Sequence, residues 1–583
     1  MHQRTFARVA PMRAKVLFYG GVAIALFLGF RLYAVQVMHG EAYAREALAQ
    51  RSGTMDVFAR RGSILDRNGS VLVRSLPSVS VYAVPRQIGD PAATIAKLSK
   101  IFGKLDSSAI AGLHDKQSWF VWIARKVPHE QAERVRALDL DGVALKAEDS
   151  GQRDDTVGTL ASTLLGFVGT DENGLDGIEY ADDALLRGRS GRVALETDEF
   201  GRPIPFGREW TVKAAEPGSN VELTIDSYLQ FVAERALAKQ VSAYHALDGT
   251  AIVMDPWTGE ILAMANVPNF DPNRFWKFDD AHRRDRAVMD AYEPGSTYKL
   301  VTAAAALDSH KVGLSMRFPA RDTLEVGGHT IHNAEDGFMA GTGGSETLGE
   351  IIEYSHNVGA AEVGIAIGPK TFYDMELRAG FGSSTNSGLP GENPGIVPAP
   401  PDWSDSSLAT MAFGQGISVT PIAMARYYAA IANGGLLMQP QIVHAVYDQQ
   451  GKLLQGFKPK VIRRVFSAQT DAELRRYLRT VVLHGTGNPS AQIPGYSTAG
   501  KTGTAQMVVD GEYRSGYYAS SFIGYVPSEH PRYVIYVKVE RPVGAYYGSI
   551  VAAPAFSEIA RLAMLHAGVL PQASPPPATP HER

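Results

Sequence analysis

Residues 16–30, VLFYGGVAIALFLGF, carry no charged side chain, and after Arg31 the apolar run resumes as LYAVQVM. A helix needs about 20 apolar residues to cross a bilayer core. Residues 16–38 suffice if Arg31 reaches the outer interface by snorkelling. Arg4, Arg8, Arg13 and Lys15 precede the run with no acid among them, which keeps the tail 1–15 cytoplasmic. The competing reading is a cleaved signal peptide. Its small-x-small candidate, Ala42–Tyr43–Ala44, lies well beyond the apolar run with Glu41 between, so the uncleaved anchor is favoured. Under either reading the bulk of the 583 residues is exported, and that length calls for at least two domains.

Composition narrows the chemistry. A chain with 45% hydrophobic and 20% charged residues is globular, and a net charge of −4 gives no footing for a nucleic-acid partner. There is no cysteine, which removes disulfides, thiolate catalysis and Cys-based metal sites. No H-E-x-x-H occurs, and His329 and His332 in GGHTIHN read as polar loop rather than metal ligands.

After the anchor, two short β-type runs flank Asn68–Gly69, a hairpin signal, and SVSVYAV (78–84) reads as a further strand. Residues 90–150 turn helical and charged, as in a small α/β insertion. DENGLDGIEYADDALLRGRSG (171–191) reads as turn, helix and glycine stop. A polar stretch at 206–220 marks a boundary. Beyond it VELTID is a strand and SYLQFVAERALAKQVSA a helix. GTAIVMD and GEILAMANV form a hairpin around PWTG, YYASSFIGYV and RYVIYVKVE form another, and APAFSEIARLAML is a closing helix. Strands early and late with helices between predict one sheet closed by both ends of a domain. The last residues, PQASPPPATPHER, read as a disordered tail.

Three motifs fall inside this second domain: STYK at 296–299, SHN at 355–357 and KTGT at 501–504. Each alone is weak; the ordered set is specific. A serine hydroxyl needs a base within hydrogen-bond reach, and residues three apart on a helix are neighbours, so Ser296 and Lys299 read as nucleophile and base. A free lysine is protonated at neutral pH; burial and a second cation lower its pKa, and Lys501 is the candidate for that cation. A helix opening at Ser296 aims its positive end at developing negative charge. Ser355 would pass a proton to a leaving amine, and Asn357 would bond the lysine and a substrate amide. Gly503 lets a ligand backbone approach the strand edge.

The residues quoted so far resemble the class B penicillin-binding proteins, which are peptidoglycan D,D-transpeptidases. The likeness runs from RLYAVQV, RRGSILDRNGSVL and GFVGTDENGLDGIE through EPGSTYK, SHNVGA, FGQGISVTP and AGKTGTAQ to YYGSIVAAPAF. His356 departs from the Asp of the S-D-N form. The resemblance implies a multi-domain α+β chain, divided as tail 1–15, anchor 16–38, elongated α/β pedestal 39–210, transpeptidase domain 211–570 and disordered tail 571–583. The transpeptidase domain would be a mainly antiparallel, helix-covered sheet of the serine β-lactamase type. It further implies a Ser296 acyl-enzyme on a D-alanyl-D-alanine stem peptide, with an oxyanion hole from the Ser296 and Thr504 amides. Thr502 and Thr504 would hold the terminal carboxylate. β-Lactams would acylate Ser296, and no cofactor or metal is implied. Asn357 as third residue of SHN points to the division type (FtsI-like), whose partner is an FtsW-like SEDS glycosyltransferase among other division proteins. The alternatives are an elongation- or sporulation-specific transpeptidase or, less favoured given anchor and pedestal, a β-lactam hydrolase or sensor.

Overall fold

The computed structural model describes residues 6–197, 209–334, 344–509 and 511–572. The tail's first residues, and the Pro-rich end from 573 on, lie outside them. The chain divides into two compact units that interleave along the sequence. The first holds residues up to 60, 76–152 and 189–216, and the second holds 61–75, 153–188 and 217 onward.

In the first unit a helix, Phe6–Tyr33, runs on into a π-helical turn, Ala34–Met38. Residues 12–38 form a continuous apolar helix with no part of it buried. At 1.5 Å per residue it is about 40 Å long, enough for a bilayer core. An antiparallel three-stranded sheet joins Ser52–Val57, Gly191–Glu196 and Glu209–Lys213. Helices Pro91–Phe102, Ser107–His114 and His129–Arg136 pack round a small core that includes Val81, Leu98, Leu113 and Val135. The run expected as two strands is one, Val71–Ala83, because Pro77 is accommodated within an extended backbone rather than ending it.

The second unit is built on a five-stranded antiparallel sheet. Its strands are β1 (Asp248–Met254), β2 (Ile261–Val267), β3 (Ala499–Val509), β4 (Glu512–Val526) and β5 (Tyr533–Glu540), in spatial order β2-β1-β5-β4-β3. Side chains alternate across a strand, and each face meets its own core. Ile252, Met254 and Tyr536 face one core, where they pack with the helices α1 (Lys299–Asp308) and α2 (Pro421–Ala432). Ala251, Val253 and Val537 face the other, beneath the helices Ser227–Ala243 and Ala553–His566. Burial on both sides explains why β1 and β5 read as near-continuous apolar runs. It also explains the Ala run in α1, whose residues 299–307 are all buried: small side chains let a helix be enclosed all round. The closing helix is apolar enough to pass for a membrane span but is mostly buried against the sheet.

A buried charge cluster ties the segments 61–75 and 153–188 together. Arg61 donates to both the carboxylate and the carbonyl of Glu179 at 2.6 Å, to Asp183 at 2.6 Å and to the Glu172 carbonyl at 2.9 Å. Arg153 donates to the other Glu179 oxygen at 2.6 Å. The side chains of Arg61 and Glu179 are almost wholly buried. Removing one partner of such a pair leaves the other buried and uncompensated, so Arg61→Ala should cost about 3–5 kcal/mol. Thermal unfolding of the full chain in detergent reads this; a loss below about 1 kcal/mol would mean that the cluster is solvated.

Candidate active site

The nucleophile turn is shaped before any catalytic contact is made. Ser296 does not open an α-helix as expected; it lies in a 3-10 turn, Gly295–Tyr298, and α1 begins at Lys299. The tighter 3.0-residue winding eclipses positions i and i+3, which brings Ser296 and Lys299 closer to one line than an α-turn would. Gly295 sits at φ +54°, where an added Cβ would also press on Ala505 at 3.1 Å. Neighbouring hydroxyls fix the turn: Thr297 Oγ1 donates to the Pro294 carbonyl at 2.7 Å, and Tyr428 of α2 donates to the Thr297 carbonyl at 2.8 Å. Tyr298 donates to Glu376 at 2.9 Å, and burial pushes that carboxyl up to about 8.

Lys299 is fully buried while Ser296 stays partly open. The Lys299 Nζ lies 3.0 Å from Ser296 Oγ, 3.2 Å from Ser355 Oγ and 2.8 Å from Asn357 Oδ1, and it also donates to the Ser355 carbonyl. Ser355 caps the helix Leu348–Tyr354 in the left-handed region, φ 62° and ψ 37°. Such a conformation costs a non-glycine residue on the order of 1 kcal/mol. Here it turns the carbonyl of Ser355 onto the lysine. Asn357 opens the next helix, Asn357–Ile367. Its Nδ2 donates to the His332 carbonyl at 3.0 Å, and its backbone N–H is received by Asn333 at 2.8 Å. His329 and His332, read as loop, stand on a strand, His329–His332, paired with Thr323–Val326.

The third segment is β3, the edge strand of the sheet. Lys501 is fully buried and donates to the Thr502 carbonyl at 3.2 Å and its hydroxyl at 3.3 Å. Thr502 Oγ1 is 2.8 Å from Thr486 Oγ1, and Thr504 Oγ1 accepts from the Gly548 N–H at 3.1 Å. A Cβ on Gly503 would come within 2.3 Å of Ser521 Oγ and 2.9 Å of the Thr297 methyl. Only glycine lets β3 press against the nucleophile turn.

The electrostatics follow from burial first. Desolvation holds Lys299 well below the ordinary lysine value; the charge of Lys501 lowers it further, and Glu346 works the other way. Burial alone brings Lys501 down to about 7. Glu346 is a participant that no motif announced. It is buried, and it pairs with Nδ1 of buried His356, the residue that departs from S-D-N. A ten-residue separation and an unremarkable SET context gave no signal for it.

A hydroxyl and a buried amine of lowered basicity thus meet at one partly open point, and the charge of Lys501 on the edge strand β3 acts on that amine. All the residues singled out from the three motifs are gathered there or on the adjoining strand edge. Residues 249–561 match the family of the penicillin binding protein transpeptidase domain, and residues 56–223 match the penicillin-binding protein dimerisation domain. Stage V sporulation protein D of Bacillus subtilis is 35% identical over 558 residues, covering 95% of this chain and 85% of the relative. The peptidoglycan D,D-transpeptidase FtsI of Escherichia coli K12 is 31% identical over 550 residues, covering 92% and 89%. The crystal structure of penicillin binding protein 3 from Mycobacterium tuberculosis, complexed with ampicillin, superposes with a TM-score of 0.68 at 29% identity, covering 90% of this chain and 98% of that one.

Proposed function

Because this chain belongs to the class B penicillin-binding proteins and is a serine-type peptidoglycan D,D-transpeptidase, we propose that it cross-links stem peptides in the septal wall during division. We assign the steps to residues as follows. Ser296 attacks the penultimate carbonyl of a D-alanyl-D-alanine terminus while Lys299 takes its proton. The backbone N–H groups of Ser296 and Thr504 receive the oxyanion. Ser355 relays the proton to the departing D-alanine amine, and Asn357 offers its second Nδ2 hydrogen to the substrate amide. Lys501, Thr502 and Thr504 hold the terminal carboxylate, and Gly503 lets the peptide lie along β3. The acyl-enzyme is then resolved by an amine from the third residue of a neighbouring stem peptide, and its proton leaves through Lys299. A β-lactam enters the same first half and stops as a stable acyl-Ser296.

The observation that carries this reading is the 3.0 Å contact between a buried Lys299 Nζ and Ser296 Oγ. A general base must hold its proton weakly near working pH, and burial supplies that. The apolar helix 12–38 supports a single-pass anchor in the cytoplasmic membrane, with the bulk of the chain outside it. An FtsW-like SEDS glycosyltransferase is the partner we expect at anchor and pedestal. Depleting the protein in its source cell tests the division role. Filaments are the expected outcome. Round cells would move it to elongation, and normal growth with failed spores would move it to sporulation.

A further inference from the structure

Next to the nucleophile turn lies a cavity of about 600 Å³, walled on one side by residues 505–508 of β3 and on the other by residues 289–293 and 416–418. Three carboxylates line it, and two are already neutralised. Asp290 is paired with Arg284, and Glu540 with the buried Lys538. The third, Glu293, has no cationic partner among the described residues. It accepts from the Gly416 N–H at 2.9 Å and from the Tyr513 hydroxyl at 3.1 Å on both oxygens. Burial raises its pKa, and those two donors only partly offset this. Desolvating a carboxylate without a counter-charge is unfavourable, so an arriving cation would be attracted there.

The position of Glu293 says which cation. It precedes Ser296 by three residues, and the cavity continues along β3 directly from the Lys501–Thr504 stretch. A donor peptide whose carboxylate sits at Thr502 and Thr504, with its backbone along the free edge, has its third residue roughly 7 Å further back, two residues at strand rise. That places the side chain of this residue over the cavity mouth. Resting on the transpeptidase reading above, we propose that the cavity is a subsite for the primary-amine side chain of the donor stem peptide, held as an ammonium on Glu293. The same amine chemistry is carried by the acceptor strand, and the test separates the two.

The full chain in detergent is given peptides ending in Lys-D-Ala-D-Ala, with the lysine amine either free or acetylated, and D-alanine release is measured as kcat/KM. Wild type should favour the free amine by about tenfold, the scale of one charge-assisted hydrogen bond. In Glu293→Gln the ratio should fall to about one. In Gln506→Lys, which places a cation on the cavity wall beside an intact Glu293, it should fall likewise. Equal rates in wild type, or a preference that survives both substitutions, overturn the proposal. A preference seen only when the amine is varied on the acceptor, with the donor fixed, overturns the donor assignment. Labelling of wild type by a fluorescent penicillin is the separate control: its absence would sink the transpeptidase reading, whereas intact labelling without amine preference sinks only this subsite.

Discussion

Ser296→Ala should reduce labelling by a fluorescent penicillin to background, a loss of about a millionfold on the scale of removing a serine nucleophile. The protein should remain folded. Ser296 is partly exposed, and among the described residues its hydroxyl meets one partner, Lys299. The lysine keeps three other oxygens, from Ser355 twice and Asn357 once. Losing one hydrogen bond at such a place costs about 1 kcal/mol or less, well inside the stability of a domain. An unchanged thermal transition together with absent labelling would therefore isolate the chemistry from the fold. Labelling that persists in the alanine variant would move the nucleophile elsewhere, with Ser355 the next hydroxyl on Lys299.

What could be read from the sequence follows a physical division. The hairpin of Asp248–Met254 with Ile261–Val267, and the helix Ser227–Ala243, are legible because their turn and periodicity are local. The motif residues were legible because the chemistry tolerates few side-chain types at those positions. Three features were not. The 3-10 turn at Ser296 is set by the clasp of Tyr428 and Gly503 from distant segments rather than by helix propensity. The interleaving of the two units depends on contacts such as Arg61 with Glu179, 118 residues apart, which no window of sequence contains. Glu346 behind His356 and Tyr513 on Glu293 are ordinary side chains that acquire meaning only through tertiary neighbours. The polar stretch at 206–220 was visible as a change of texture, but not that residues 61–75 and 153–188 pack with the later unit.

Lys299→Ala should slow acylation by about 10²–10⁴-fold, the usual contribution of a positioned general base. Alanine alone leaves an ambiguity, because Lys299 also donates to Ser355 and Asn357 and so holds the site together. Lys299→Arg separates the roles. Arginine retains charge and donors but does not give up its proton, so it can position but cannot act as base. If proton transfer matters most, the arginine variant acylates as slowly as the alanine variant. Recovery to within about tenfold of wild type would make the lysine a positioning residue. The pH profile gives a second reading. Lys299 is held well below the ordinary lysine value by burial and then by Lys501. It is active when neutral, so acylation should rise with pH through its depressed pKa. Lys501, which burial brings down to about 7, is useful when charged. The wild-type kcat/KM for a carboxylate-bearing penicillin should therefore fall as pH rises past that value, giving a bell. Lys501→Arg stays charged and should carry the falling limb to higher pH. A falling limb that does not move would mean that another group, and not the ammonium on β3, sets the loss at alkaline pH.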